Sequence, residues 1–138
     1  MIFFGEPDFQ LQADTYAQKY TCDLRQWAAL IAEADYFIGC DSVGQHIAKA
    51  LDKTATVITG STFPINVSYV NDKKFDIIDA GKDIRQYSPI RLTMEEEIDR
   101  ANDQCMDITP QLLETIVKSA RNRTGKSTNV KVEMKPST

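Results

Sequence analysis

The sequence predicts an α/β domain, Rossmann-like, with a mainly parallel sheet and flanking helices. Three observations predict it. Short apolar runs at 1–4, 36–40, 55–59 and 75–79 each stop at a glycine or a cluster of small polar residues. Segments with apolar residues at helical spacing lie between several of them. The runs are continuous rather than alternating, as in strands covered on both faces by crossover helices.

Composition narrows the function classes. The 138 residues are 42% hydrophobic and 26% charged, too apolar for a disordered chain and enough to build one core. Sixteen basic against 20 acidic residues give a net charge of −4, which argues against nucleic acid as a partner. No apolar run approaches the ~20 residues of a membrane helix, so no integral membrane segment is expected. Residues 1–4 lack the basic start and the length of a signal peptide. A cytoplasmic protein is therefore expected, the inner face of the membrane included. Cys22, Cys40 and Cys105 are odd in number and form no CxxC pair, so reduced thiols are expected, with neither zinc nor a disulfide framework.

Taken in order, 1–4 reads as a strand closed by Gly5, and 10–20 as a weak helix carrying Leu11, Tyr16 and Tyr20. Asp23 with Gln26 forms a capping-box pattern, and Leu24, Trp27, Ala28 and Ile31 give the following helix an apolar face. Residues 36–40 form a strand, with Cys40 expected to be small and buried and Trp27 to be core. Asp41 and Ser42 start a helix through Leu51, with Ile47, Ala48 and Leu51 on one stripe. Strands follow at 55–59 and 75–79, with a loop at 60–64 between them. Thr93 and Glu96 make a second capping box before a short helix at 94–101, whose Glu95, Glu96 and Glu97 read as a solvated face. Thr109 and Pro110 start a helix that buries Leu112, Leu113, Ile116 and Val117. The domain is expected to span 1–121, with a flexible polar tail at 122–138.

In open parallel sheets, ligands bind beyond the carboxyl ends of the strands. Two such ends carry the same kind of residues: Asp41, Ser42, Val43, Gly44 and His46 after one strand, Gly60, Ser61 and Thr62 after the next. The first runs straight into a helix whose opening N–H groups lack intrahelical partners, an arrangement suited to phosphate. The serine and threonine hydroxyls add donors, and the glycines permit close backbone approach. A plainer reading stands beside this one: strand-to-helix turns need small polar residues, and Asp41 or Ser42 can be only a cap. His46, the single histidine, either meets a ligand phosphate or sugar or holds the loop by a hydrogen bond. There is no P-loop, no GxGxxG after a strand and no nucleophile elbow.

The strings Ala34-Asp35-Tyr36-Phe37-Ile38-Gly39-Cys40-Asp41-Ser42, His46-Ile47-Ala48 and Val57-Ile58-Thr59-Gly60-Ser61-Thr62-Phe63-Pro64 resemble the nucleotide-sugar-binding, C-terminal half of glycosyltransferase family 9. These are the ADP-heptose:lipopolysaccharide heptosyltransferases and their relatives. Cys105-Met106-Asp107-Ile108-Thr109-Pro110 is similar to the lead into that family's C-terminal helix. The resemblance implies a GT-B architecture of two facing Rossmann-like domains. It also implies a nucleotide-diphosphate sugar as donor, ADP-heptose in the family, with no cofactor or metal. Asp41, Ser42 and the backbone after them would face the donor, with His46 and Thr62 at the family's histidine and threonine positions. There are departures. Val43 stands where the family has glycine, and a β-branched residue there would crowd a diphosphate. Ser61 replaces a proline. The family's N-terminal acceptor domain, with its general base, has no counterpart in the sequence, nor has the first strand of the C-terminal domain.

The first reading is therefore a glycosyltransferase-like, donor-binding domain acting on lipopolysaccharide or a related glycan. A partner chain would supply the acceptor half, and homodimerisation through an incomplete sheet edge is the other association expected. The alternative is a non-catalytic interaction module that keeps the fold. A nucleotide-sugar epimerase ranks lower, because a glutamate would stand where His46 does.

Overall fold

The computed structural model describes residues 2–4, 18–85, 105 and 107–124. The elements are β1 (Ile2–Phe4), β2 (Gln18–Tyr20), α1 (Leu24–Glu33), β3 (Phe37–Cys40), α2 (Val43–Ala50), β4 (Ala55–Thr59), α3 (Pro64–Val67), β5 (Phe75–Asp79) and α4 (Pro110–Thr124). The expected α/β class with parallel strands is what the chain adopts. Its strands fall into two sheets, β1-β2 and β3-β4-β5, with every pairing parallel.

Three expectations are corrected. Residues 18–20 are strand, not the end of a helix, because they pair with β1 from Ile2↔Gln18 to Phe4↔Tyr20; long-range pairing overrides a weak helical pattern. Residues 10–17 lie outside the described residues, as do the helix expected at 94–101 and its capping box. Within the loop expected at 60–64, Pro64 opens the short helix α3, its fixed φ suiting the first turn. At the C-terminal end, α4 continues to Thr124, past the expected boundary at 121, with Arg121 and Arg123 in its last turn, where cations complement the helix dipole.

Local sequence explains most element ends. Asp23 caps α1: its Oδ1 accepts from the Gln26 N–H at 2.8 Å, and Gln26 Oε1 accepts from the Asp23 N–H at 3.1 Å. The helix α2 stops at Leu51, and Asp52 takes a left-handed conformation (φ 57°), which a short polar side chain tolerates. That early stop leaves Leu51 exposed instead of on the buried stripe, and Leu24, in the first turn of α1, is 59% exposed.

The central strand β4 is buried at every residue. On one face Ala55 and Val57 pack with Ile31, Ala48 and Phe75, flanked by the half-buried Trp27, Phe37, Ile47 and Tyr69. Gly44 lets α2 lie close to this layer: a Cβ there would sit 2.8 Å from Phe37 Cζ and 2.9 Å from Trp27 Cζ2. Cys40, expected to be buried, is half-buried in the sheet's outer strand.

On the other face α4 is joined to the sheet by hydroxyls. The Ser119 hydroxyl donates to Asp76 Oδ2. Its single proton thus used, Ser119 Oγ accepts from Thr56, 2.7 Å away, and Thr56 Oγ1 accepts from the Tyr36 hydroxyl at 2.5 Å. The chain runs one way, from the phenol to the carboxylate. Tyr36 must stay protonated to feed it, and burial pushes its pKa above the usual tyrosine value. Ile116 and Ala120 complete the contact.

Two expectations follow. Ser119→Ala, which strands Thr56 and Asp76 together, should cost about 1–3 kcal/mol in urea unfolding, and Tyr36→Phe, which removes only the first donor, should cost less. Gly44→Ala should cost about 1–3 kcal/mol by overpacking, read as a lower denaturation midpoint at unchanged slope.

Candidate functional site

Parallel, in-register pairing brings three strand ends to one rim. Cys40 lies in register with Ile58, and Thr59 with Asp79, so the bends after β3, β4 and β5 leave the sheet side by side. The two bends singled out from sequence are therefore adjacent.

The first bend is short. The Ser42 N–H donates to the Cys40 carbonyl at 2.8 Å, and the Ser42 carbonyl accepts from the Gln45 N–H at 3.2 Å. Ser42 stands at the N-cap of α2, exposed, with no capping hydrogen bond from its side chain. Ser42 thus caps α2 by position and through its carbonyl, not through its hydroxyl. Asp41 is half-buried. Burial holds its carboxyl pKa above the ordinary aspartate value, against the opposing pull of its own backbone N–H. Val43 is 47% exposed. Gly44 faces the core aromatics described above, so its lack of a side chain serves packing.

His46 lies on the exposed surface of α2, where its Nδ1 shares a 2.6 Å hydrogen bond with the Tyr69 hydroxyl. The two rings meet edge to face with centroids 5.6 Å apart. Its observed partner is thus a residue of the segment after α3. Tyr69 packs in turn on Phe75, and the Lys49 ammonium lies 5.5 Å from its ring centroid. Lys49 also pairs with Asp72, whose carboxyl is held below the usual range by that hydrogen bond; the same bond raises Lys49.

In the second bend Gly60 is buried, Ser61 exposed and Thr62 half-buried. The third bend, which sequence reasoning missed, braces it. The Arg85 side chain is 5% exposed; Nη2 pairs with Asp79 Oδ1, and Nε donates to the Gly60 carbonyl at 2.9 Å. Its guanidinium lies over the Phe63 ring, 4.6 Å from the centroid. Gly81 makes room: a Cβ there would lie 2.2 Å from the Gly60 oxygen. The available signal was the pattern Asp79, Gly81, Arg85 directly after a strand, at the end where ligands bind.

Two further buried groups escaped the sequence. Gln45, fully buried, donates from Nε2 to the Val67 carbonyl at 2.8 Å and accepts from the Ser68 hydroxyl at 2.7 Å, tying α3 to α2. Thr59 Oγ1, at the root of the second bend, is buried and has no hydrogen-bond partner among the described residues. No described helix is long and apolar enough to cross a membrane.

Because the folded carboxyl of Asp41 titrates above its unfolded counterpart, the native state binds more protons between the two values, and stability falls as pH rises through that window. Asp41→Asn should therefore stabilise the protein at neutral pH. The difference should vanish below the unfolded carboxylate pKa, as followed by thermal melts across pH.

No match was found among curated proteins or among solved structures. Residues 21–85, just under half of the chain, match the family model described as glycosyltransferase family 9 (heptosyltransferase), and the match takes in all three strand ends of the rim, from Cys40 to Arg85.

Proposed function

We propose that the rim binds the diphosphate of a nucleotide-activated sugar and that the protein serves a glycosyltransferase-like reaction. The observation that carries this is the open N-terminus of α2 inside the matched segment. Asp23 closes α1 with its side chain, whereas Ser42 leaves α2 uncapped and its hydroxyl exposed. The N–H groups of Val43 and Gly44, the helix dipole and the Ser42 hydroxyl would then meet one ligand, with Ser61 and Thr62 on the neighbouring bend.

The proposed chemistry is inverting sugar transfer to a hydroxyl. Charge developing on the departing diphosphate would be met by the backbone N–H groups of Val43 and Gly44 and by the hydroxyls of Ser42, Ser61 and Thr62. Asp41, half-buried beside them, is proposed to meet a sugar hydroxyl of the donor. His46 is engaged by Tyr69, so its proposed part is to hold the outer face of α2, with ligand contact secondary. In a GT-B arrangement the acceptor and its base would come from a facing domain, supplied by a partner chain. A lipopolysaccharide-type glycan with ADP-heptose as donor is the member of this class that the family match favours. A reaction of this class would be carried out in the cytoplasm or at the inner face of the membrane. The interaction-module alternative rests in part on Val43, which stands nearly half exposed at the start of α2.

Calorimetry with ADP, UDP and GDP sugars tests the proposal. Saturable binding is expected, weakened about tenfold by Ser42→Ala or Thr62→Ala, since one charge-assisted hydrogen bond contributes about 1.5–3 kcal/mol. A folded protein that binds none of the three overturns it.

A further inference from the structure

We propose that Arg85 is a positioning residue for the second bend: it holds the Ser61 and Thr62 hydroxyls in place for the diphosphate, acting through Gly60 and Phe63. The inference rests on the donor-binding reading for its ligand and on geometry for its mechanism.

Arg85 grips the bend at two points. Its Nε–H holds the Gly60 carbonyl at 2.9 Å, and its guanidinium plane covers the Phe63 ring at 4.6 Å. Ser61 and Thr62 are the two residues between those points. The grip is fixed in its turn, because Nη2 pairs with Asp79 and the Arg85 backbone N–H donates to the Gly81 carbonyl at 2.7 Å. Asp79 also accepts from the Gly81 N–H at 3.2 Å, closing the third bend around the arginine.

Two features separate positioning from attraction. The guanidinium is buried and its charge is met by Asp79, so it adds little net positive field at the rim. What it supplies is shape: a planar fork that bonds a carboxylate and a carbonyl while stacking on a ring. A lysine in its place would keep the charge for Asp79 and lose both the Gly60 bond and the stack. Gly81 is part of the same device, since any side chain there would strike the Gly60 oxygen that the arginine holds.

The test compares wild type, Arg85→Lys, Thr62→Ala, Ser42→Ala and the double variants in the full chain, with ADP as probe. In Arg85→Lys the ¹⁵N order parameters of residues 60–62 should fall toward the flexible range, below about 0.6, while circular dichroism stays unchanged. The ADP dissociation constant should rise about tenfold. The loss should not add to that of Thr62→Ala, which shares the bend, and should add to that of Ser42→Ala, on the other bend. Unchanged order parameters, or full additivity with Thr62→Ala, overturn the proposal. If Arg85→Lys does not fold, Phe63→Leu removes the stacked half of the grip and should show the same coupling in weaker form. If the wild type binds no ADP or ADP-sugar, the donor-binding reading falls, and the order parameters decide whether Arg85 holds the bend.

Discussion

The strand β4 gives both of its edges to parallel neighbours and both of its faces to helices, and the rim takes its geometry from that enclosure. Its five residues are all buried, so their register with β3 and β5 is fixed by packing as well as by hydrogen bonds. A slip of one residue would turn Val57 toward α4 and Thr56 toward the apolar layer of Ile31 and Ala48. Because the register is held, the last residues of three strands lie side by side, and the bends that follow them share one edge. Nothing else in the described chain brings Ser42, Thr62 and Arg85 to a common rim.

The same frame separates two uses of small residues. Gly44 and Gly81 both lack side chains because something else occupies the space: aromatic rings in one case, a carbonyl oxygen in the other. Neither glycine needs an unusual backbone angle. Ser42 is small for a different reason, standing at a helix start without closing it. Two helices that begin alike in sequence, each after an aspartate, thus end up chemically unlike. In the first the aspartate side chain accepts from the Gln26 N–H, and in the second no side chain caps the helix start.

Much of this was legible in the residues. The strands at 55–59 and 75–79 were read with their observed bounds, and the Asp23–Gln26 box and the Pro110 start announced two helices through local chemistry that tertiary contacts did not overrule. Pairing at 18–20 was not legible, because it depends on a strand far away in sequence and the local pattern was weak. The adjacency of the two bends followed from strand order alone. Arg85 was missed because an arginine six residues beyond a strand looks like any surface cation; its significance lies in meeting Asp79, Gly60 and Phe63 together, and only folding brings those three to it. His46 illustrates the same limit, since its partner Tyr69 lies 23 residues away.

The one-way hydroxyl chain beneath α4 has a consequence for how that helix is held. Grease alone would tolerate sliding: Ile116 and Ala120 could find other apolar neighbours a turn away. The relay from Tyr36 through Thr56 and Ser119 to Asp76 does not slide, because each hydroxyl has one proton and one place to spend it, and the carboxylate ends the chain. A shift of one turn would take Ser119 away from Thr56 and Asp76 together. The C-terminal helix is therefore keyed to the sheet, as a tooth is to a lock, and its docking is a question of registry before it is one of strength.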